Sequence, residues 1–149
     1  MIDVVLNNRT KERTFGKAFF QRVADASLAY LKLPARHDAE VGVTLLGVIA
    51  MRKLNRTRRG FDAPTDVLSF PLHMKPITGY TSVLLGDLFI CSDIVRLHAK
   101  ESGLSVRHQM QWTVVHGLLH LAGYNHEKSA TNDKQMRAIE QKIVKSLNT

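Results

Sequence analysis

The chain has 149 residues, 21 of them lysine or arginine against 13 aspartates and glutamates, for a formal net charge of +8. That length suits a single domain (residues 1–149) able to bury about two-thirds of its unfolded surface. One cysteine, Cys91, excludes an internal disulfide and fits a reducing compartment. No apolar run approaches the roughly 20 residues that span a bilayer, so no membrane partner is expected, and the excess of positive charge suits a polyanion such as nucleic acid.

Met1-Ile-Asp-Val-Val-Leu carries an acid inside its apolar stretch. It reads as a first strand, Met1 to Leu6, and not as a secretion signal, which makes the cytoplasm the expected location. Asn7, Asn8 and Arg9 follow as loop. From Phe15 to Leu33 the apolar residues Phe15, Ala18, Phe19, Val23, Ala26, Leu28 and Leu31 recur at helical spacing, with Pro34 as the stop. Val41 to Leu46 is a buried strand, and Gly47 to Asn55 a short helix.

Arg52, Lys53, Arg56, Arg58 and Arg59 crowd the end of that helix and the loop expected behind it. Complementation of the helix dipole accounts for Arg52, Lys53 and Arg56. Arg58 and Arg59 are expected past the helix, beside Gly60, where a guanidinium can fork onto phosphate. Val67 to Phe70 is a short strand closed by Pro71, Leu72 to Ser82 a loop, and Leu84 to Cys91 a strand antiparallel to the previous one. Ser92 is placed to cap a helix from Asp93 to Ser102 that ends at Gly103. Ser105 is placed to cap the next, from Val106 to Leu121. Thr131 to Leu147 is a final amphipathic helix.

His116-Gly-Leu-Leu-His120-Leu-Ala-Gly123-Tyr-Asn-His126 holds the chemistry. Four residues advance a helix by about 400°, so His116 and His120 point the same way, roughly 6 Å apart along the axis. Gly123 can take the left-handed conformation that ends a helix and bring His126 back over that face. Three neutral imidazoles converging on one point make a metal site with a fourth position open. The spacing matches the zinc pattern H-E-x-x-H-x-x-G-x-x-H except at Gly117, which stands where that pattern has its glutamate. Gly117 cannot serve as a base, and it costs the helix about 1 kcal/mol relative to alanine; close packing against a neighbour or room for substrate would account for it. His108 is about 12 Å away along the axis, too far to share the ion. His37, His73 and His98 have no partner spacing.

With these motifs the chain resembles the YbeY family of bacterial endoribonucleases. HGLLHLAGYNH (His116–His126) matches the family's H-G-x-L-H-L-x-G-Y-D-H, LNRTRRGFDAPTDVLSF (Leu54–Phe70) its second block, and LLGDLFI (Leu84–Ile90) its G-D-hydrophobic strand. The resemblance implies an α+β fold: a mixed four-stranded sheet, three strands parallel and one antiparallel, with helices packed around it and a zincin-like metal-site helix. It also implies a zinc-dependent, single-strand-specific endoribonuclease acting on ribosomal RNA and the ribosome, in 16S rRNA 3′ end maturation and ribosome quality control. One zinc ion would be held by His116, His120 and His126, and the positions associated with activity fall on His116 and Arg59. Asn125 stands where the family usually has aspartate, and Arg58 where it often has tyrosine.

On this reading Arg59, helped by Arg56 and Arg58, holds a phosphate and stabilises the charge developing on it. Three nitrogen ligands suit zinc better than magnesium. Asp66 and Glu127 are candidate general bases by sequence proximity only. A metallopeptidase shares the histidine spacing, but Gly117 and the basic surface argue against it. A non-enzymatic ribosome assembly factor with a structural zinc needs a fourth ligand, for which Cys91 is the candidate.

Overall fold

The computed structural model describes residues 1–31, 33, 38–72, 82–124 and 130–149. In chain order the elements are β1 (Ile2–Asn8), α1 (Lys17–Ser27) with a 3-10 turn (Leu28–Tyr30), β2 (Asp38–Leu45), α2 (Val48–Arg59), β3 (Val67–Pro71), β4 (Ser82–Ile90), α3 (Ser92–Ser102), α4 (Val106–Leu121) and α5 (Ala130–Leu147). The strands form one sheet in the order β1-β2-β4-β3. β1, β2 and β4 are parallel and β3 runs antiparallel to β4. This is the expected mixed α+β sheet.

Burial explains the parallel strands. Val41, Val43 and Leu45 of β2 are each at most 1% exposed and join Ile2 and Val4 of β1 in the larger core cluster. In β4 the strict alternation of faces would send Leu85 and Leu88 to opposite sides. A bulge opposite Glu40 and Val41 resets the phase, so Leu85, Leu88 and Ile90 all enter the same core. Gly86 makes the bulge possible: its φ is +138°, and a β-carbon there would stand 2.3 Å from the Phe70 carbonyl oxygen.

Helix α4 lies at the centre, packed against α1, α3, α5, β3 and β4. It buries Met110, Val114, Val115, Leu118, Leu119 and Leu121 on several sides, as a helix enclosed all round must. The other face of the sheet is covered by α2 through a smaller cluster of Leu46, Met51, Leu68 and Cys91, with Phe70 and Phe89 against it. Among the described residues no helix is long and apolar enough to cross a membrane.

Several boundaries differ from expectation for local reasons. Asn7 and Asn8 belong to β1, because they pair with Thr44 and Leu45 of β2. Phe15 precedes α1, which ends at Ser27, whose hydroxyl donates to the Val23 carbonyl (2.8 Å), a bond that competes with the helix ladder. The helix then tightens to a 3-10 turn. Ser92 is inside α3 and does not cap it; Cys91 holds the cap position. Ser105 does cap α4, accepting from the His108 N–H at 3.1 Å. Pro34, His37, His73 and most of the expected loop from Leu72 to Ser82 lie outside the described residues.

Candidate active site

Two helices and one strand assemble the site. Helix α2 runs four residues beyond its expected end, since nothing from Arg56 to Arg59 breaks a helix and Gly60 (φ +77°) is the first residue to reverse the chain. Arg58 and Arg59 therefore sit in its last turn, not in a loop past it. That turn sets the fate of each cation. Arg52 donates to Asp62 through Nε and Nη2 (2.9 and 3.1 Å), and Arg56 approaches the same carboxylate at 3.7 Å. These bonds hold the Asp62 carboxyl below its ordinary range. Arg58 is exposed, whereas Arg59 crosses to β3, where it donates to the Ser69 carbonyl oxygen at 3.0 Å and lies 5.6 Å from the centre of the Phe70 ring.

Helix α4 brings the histidines to the same place. His116 and His120 face each other, their Nε2 atoms 3.0 Å apart. The helix closes at Ala122, and Gly123 takes φ +98°, with its N–H donating to the His120 carbonyl and that of Tyr124 to Leu119. The turn expected at Gly123 is present. His126, Asn125 and Glu127 lie outside the described residues. Among the described residues no group of three or more histidine, cysteine or acidic side chains surrounds a single point.

The pair is nonetheless suited to a metal. Two nitrogens bound to one tetrahedral zinc at about 2.1 Å stand roughly 3.4 Å apart, near the observed separation. His116 Nδ1, on the far side of its ring, is 3.0 Å from Oε1 of Glu140 in α5, so both nitrogens of that imidazole have defined partners. Glu140 had no place among the expected site residues. Its signal was an acid on the buried stripe of α5, between Met136 and Ile143.

Arg59, His116 and His120 line one cleft of about 690 Å³ with Asn55, Phe61, Thr65, Asp66, Ser69 and Tyr124. Asp66 is held rather than loose: Oδ1 accepts from the Val67 N–H (2.8 Å) and the Thr65 hydroxyl (3.3 Å), and Oδ2 is 3.6 Å from His98 Nδ1. Phe61 is 69% exposed at the cleft wall, and burial pushes the Tyr124 phenol up.

Gly117 faces the sheet. A β-carbon there would stand 2.8 Å from Leu88 Cδ2 and 3.3 Å from Val67 Cγ2, so of the two accounts open at this position close packing holds, and a glutamate would be driven into the core. The peptidase pattern fails sterically as well as chemically. Cys91 is fully buried in the smaller cluster under α2, where burial pushes its thiol up and away from the thiolate a metal needs.

A family model described as Endoribonuclease YbeY matches residues 5–148. Curated relatives named Endoribonuclease YbeY include one from Persephonella marina, 32% identical over 98% of this chain and 93% of its own length. Another, from Aquifex aeolicus, is 34% identical over 94% of this chain and 89% of its own. A solution structure of a Thermotoga maritima protein superposes with a TM-score of 0.61 at 31% identity, covering 97% of this chain and 87% of that one. A family-model match that runs almost from end to end, together with curated relatives more than 30% identical over nearly the whole chain, places this chain in the endoribonuclease YbeY family.

Proposed function

We propose that the protein is a zinc-dependent endoribonuclease that cuts single-stranded ribosomal RNA in the cytoplasm, in maturation of the 16S rRNA 3′ end and in ribosome quality control. The observation that carries it is the convergence in one cleft of two facing imidazoles and an arginine anchored on the neighbouring strand. Family membership and the net charge of +8 support RNA and the ribosome as partners.

His116 and His120 would hold the ion, with His126 as the third ligand. Bound zinc would supply Lewis acidity, polarising a phosphate oxygen and easing the ionisation of water. The remaining work falls to the protein. Arg59 spends one N–H on Ser69, which fixes its direction and leaves others of its five donors for a phosphate. Charge stabilisation from such a pre-aimed donor typically contributes about 3–4 kcal/mol. Asp66, at the cleft wall, is the candidate to accept a proton from the attacking water. Phe61 and Tyr124 offer ring faces on which an unpaired base can stack. A paired base keeps its own stack, which supports the preference for single strands.

The test is cleavage of a 5′-labelled single-stranded RNA by zinc-loaded and chelated protein, beside His116→Ala. Cleavage lost on chelation, restored by zinc and absent in the variant is expected. Cleavage by chelated protein, or hydrolysis of a peptide library with RNA left intact, would refute the proposal.

A further inference from the structure

Helix α5 buries Met136, Glu140, Ile143, Val144 and Leu147. They fall at i, i+4, i+7, i+8 and i+11, the stripe that faces a core. Four are apolar and one is an acid, only 8% exposed. A carboxylate drawn out of water is stable there only if a partner answers it. The partner is His116, 24 residues earlier, with Nδ1 3.0 Å from Oε1. The opposite nitrogen of the same ring faces His120.

A neutral imidazole carries one proton, and the group that accepts it decides which nitrogen keeps the lone pair. With Nδ1–H donated to Glu140, the lone pair is on Nε2, the atom aimed at His120. We infer that Glu140 is a positioning residue for the metal-binding nitrogen of His116: it selects the tautomer, stops the ring from turning and strengthens Nε2 as a donor by its negative charge. The inference rests on the metal reading above. Core packing alone has no use for the acid, because leucine or methionine would fill the stripe without desolvating a charge.

The experiment compares full-length wild type, Glu140→Leu and Glu140→Gln by zinc affinity in competition with a chromophoric chelator. Ring ¹⁵N spectra of His116 in metal-free protein and the thermal midpoint complete the set. Glu140→Leu is expected to weaken zinc binding roughly 10- to 100-fold and to lose the Nδ1–H signature. Glu140→Gln, whose amide oxygen still accepts, is expected to keep the signature and recover part of the affinity. If Glu140→Leu does not fold, Glu140→Gln decides alone, and zinc affinity equal to wild type overturns the inference. A fallen midpoint with affinity and ring spectrum unchanged shows a purely structural acid and also overturns it. Wild type that takes up no zinc defeats the metal reading itself, and the ligand role of Glu140 with it.

Discussion

Replacing Gly117 with alanine sets two effects of known size against each other. Alanine improves the intrinsic helix propensity of α4 by about 1 kcal/mol. Against this, the new methyl group would stand 2.8 Å from Leu88 Cδ2, where carbon atoms prefer about 3.5–4.0 Å. Leu88 is fully buried between Val43 of β2 and Ser69 of β3, so it has little room to retreat, and over-packing of this kind costs about 1–3 kcal/mol. The net is a loss of about 1 kcal/mol, measured by urea denaturation. The functional loss should exceed the loss of stability. His116 and His120 ride on α4 and move together, whereas Arg59 is tied to Ser69 on the sheet. Lifting the helix off the sheet therefore separates cation from imidazoles, and a shift near 1 Å can cost about 100-fold in rate. Zinc affinity should stay close to wild type. A Gly117→Ala protein about 1 kcal/mol more stable than wild type, with full activity, would refute the claim that this glycine is a packing requirement.

Arg59→Ala should lower kcat/KM for single-stranded RNA by about 100- to 1,000-fold while leaving zinc affinity intact; unchanged turnover at limiting substrate would remove Arg59 from the reaction. Phe61→Ala, at an exposed position, should leave stability unchanged within about 0.5 kcal/mol and reduce kcat/KM on single strands about tenfold through lost stacking. An RNA with an abasic residue at the stacked position should be insensitive to that change, and equal losses on both substrates would count against stacking. Glu12, in its ion pair with Arg96, is pulled from an ordinary 4.5 down to about 2, chiefly by the hydrogen bond from that guanidinium. Because the folded-state value is depressed, the pair stabilises fully above about pH 4.5, and the contribution drains away as the pH falls toward 2. The difference caps it at about 3 kcal/mol; with Arg96 39% exposed, screening reduces the expectation to about 1–2. Glu12→Gln should lose that amount near pH 7 and nothing near pH 2 in denaturant titrations, and a constant gap across the range would contradict the assignment.

The sequence by itself determined whatever depends on residues within a turn or two of one another. The facing of His116 and His120 follows from helical rotation alone, and the Ser105 cap and the reversals at Gly103 and Gly123 follow from local chemistry. The individual strands were legible as short apolar runs and the antiparallel neighbour from the loop between β3 and β4; the mixed sheet of three parallel strands and one antiparallel came through resemblance, and the order β1-β2-β4-β3 only from the structure. The tertiary structure decided everything that depends on distant partners. Helix α2 holds Arg59 in its last turn, yet the carbonyl that aims its guanidinium belongs to β3. Gly117 is required by Leu88 of β4 and Val67 of β3, a fact that no property of glycine announces. Glu140 became part of the site because α5 folds back on α4 and presents an acid to His116. Rotation about a helix axis is a property of the backbone and travels with the sequence, whereas an aimed side chain needs a neighbour, and only packing chooses the neighbour.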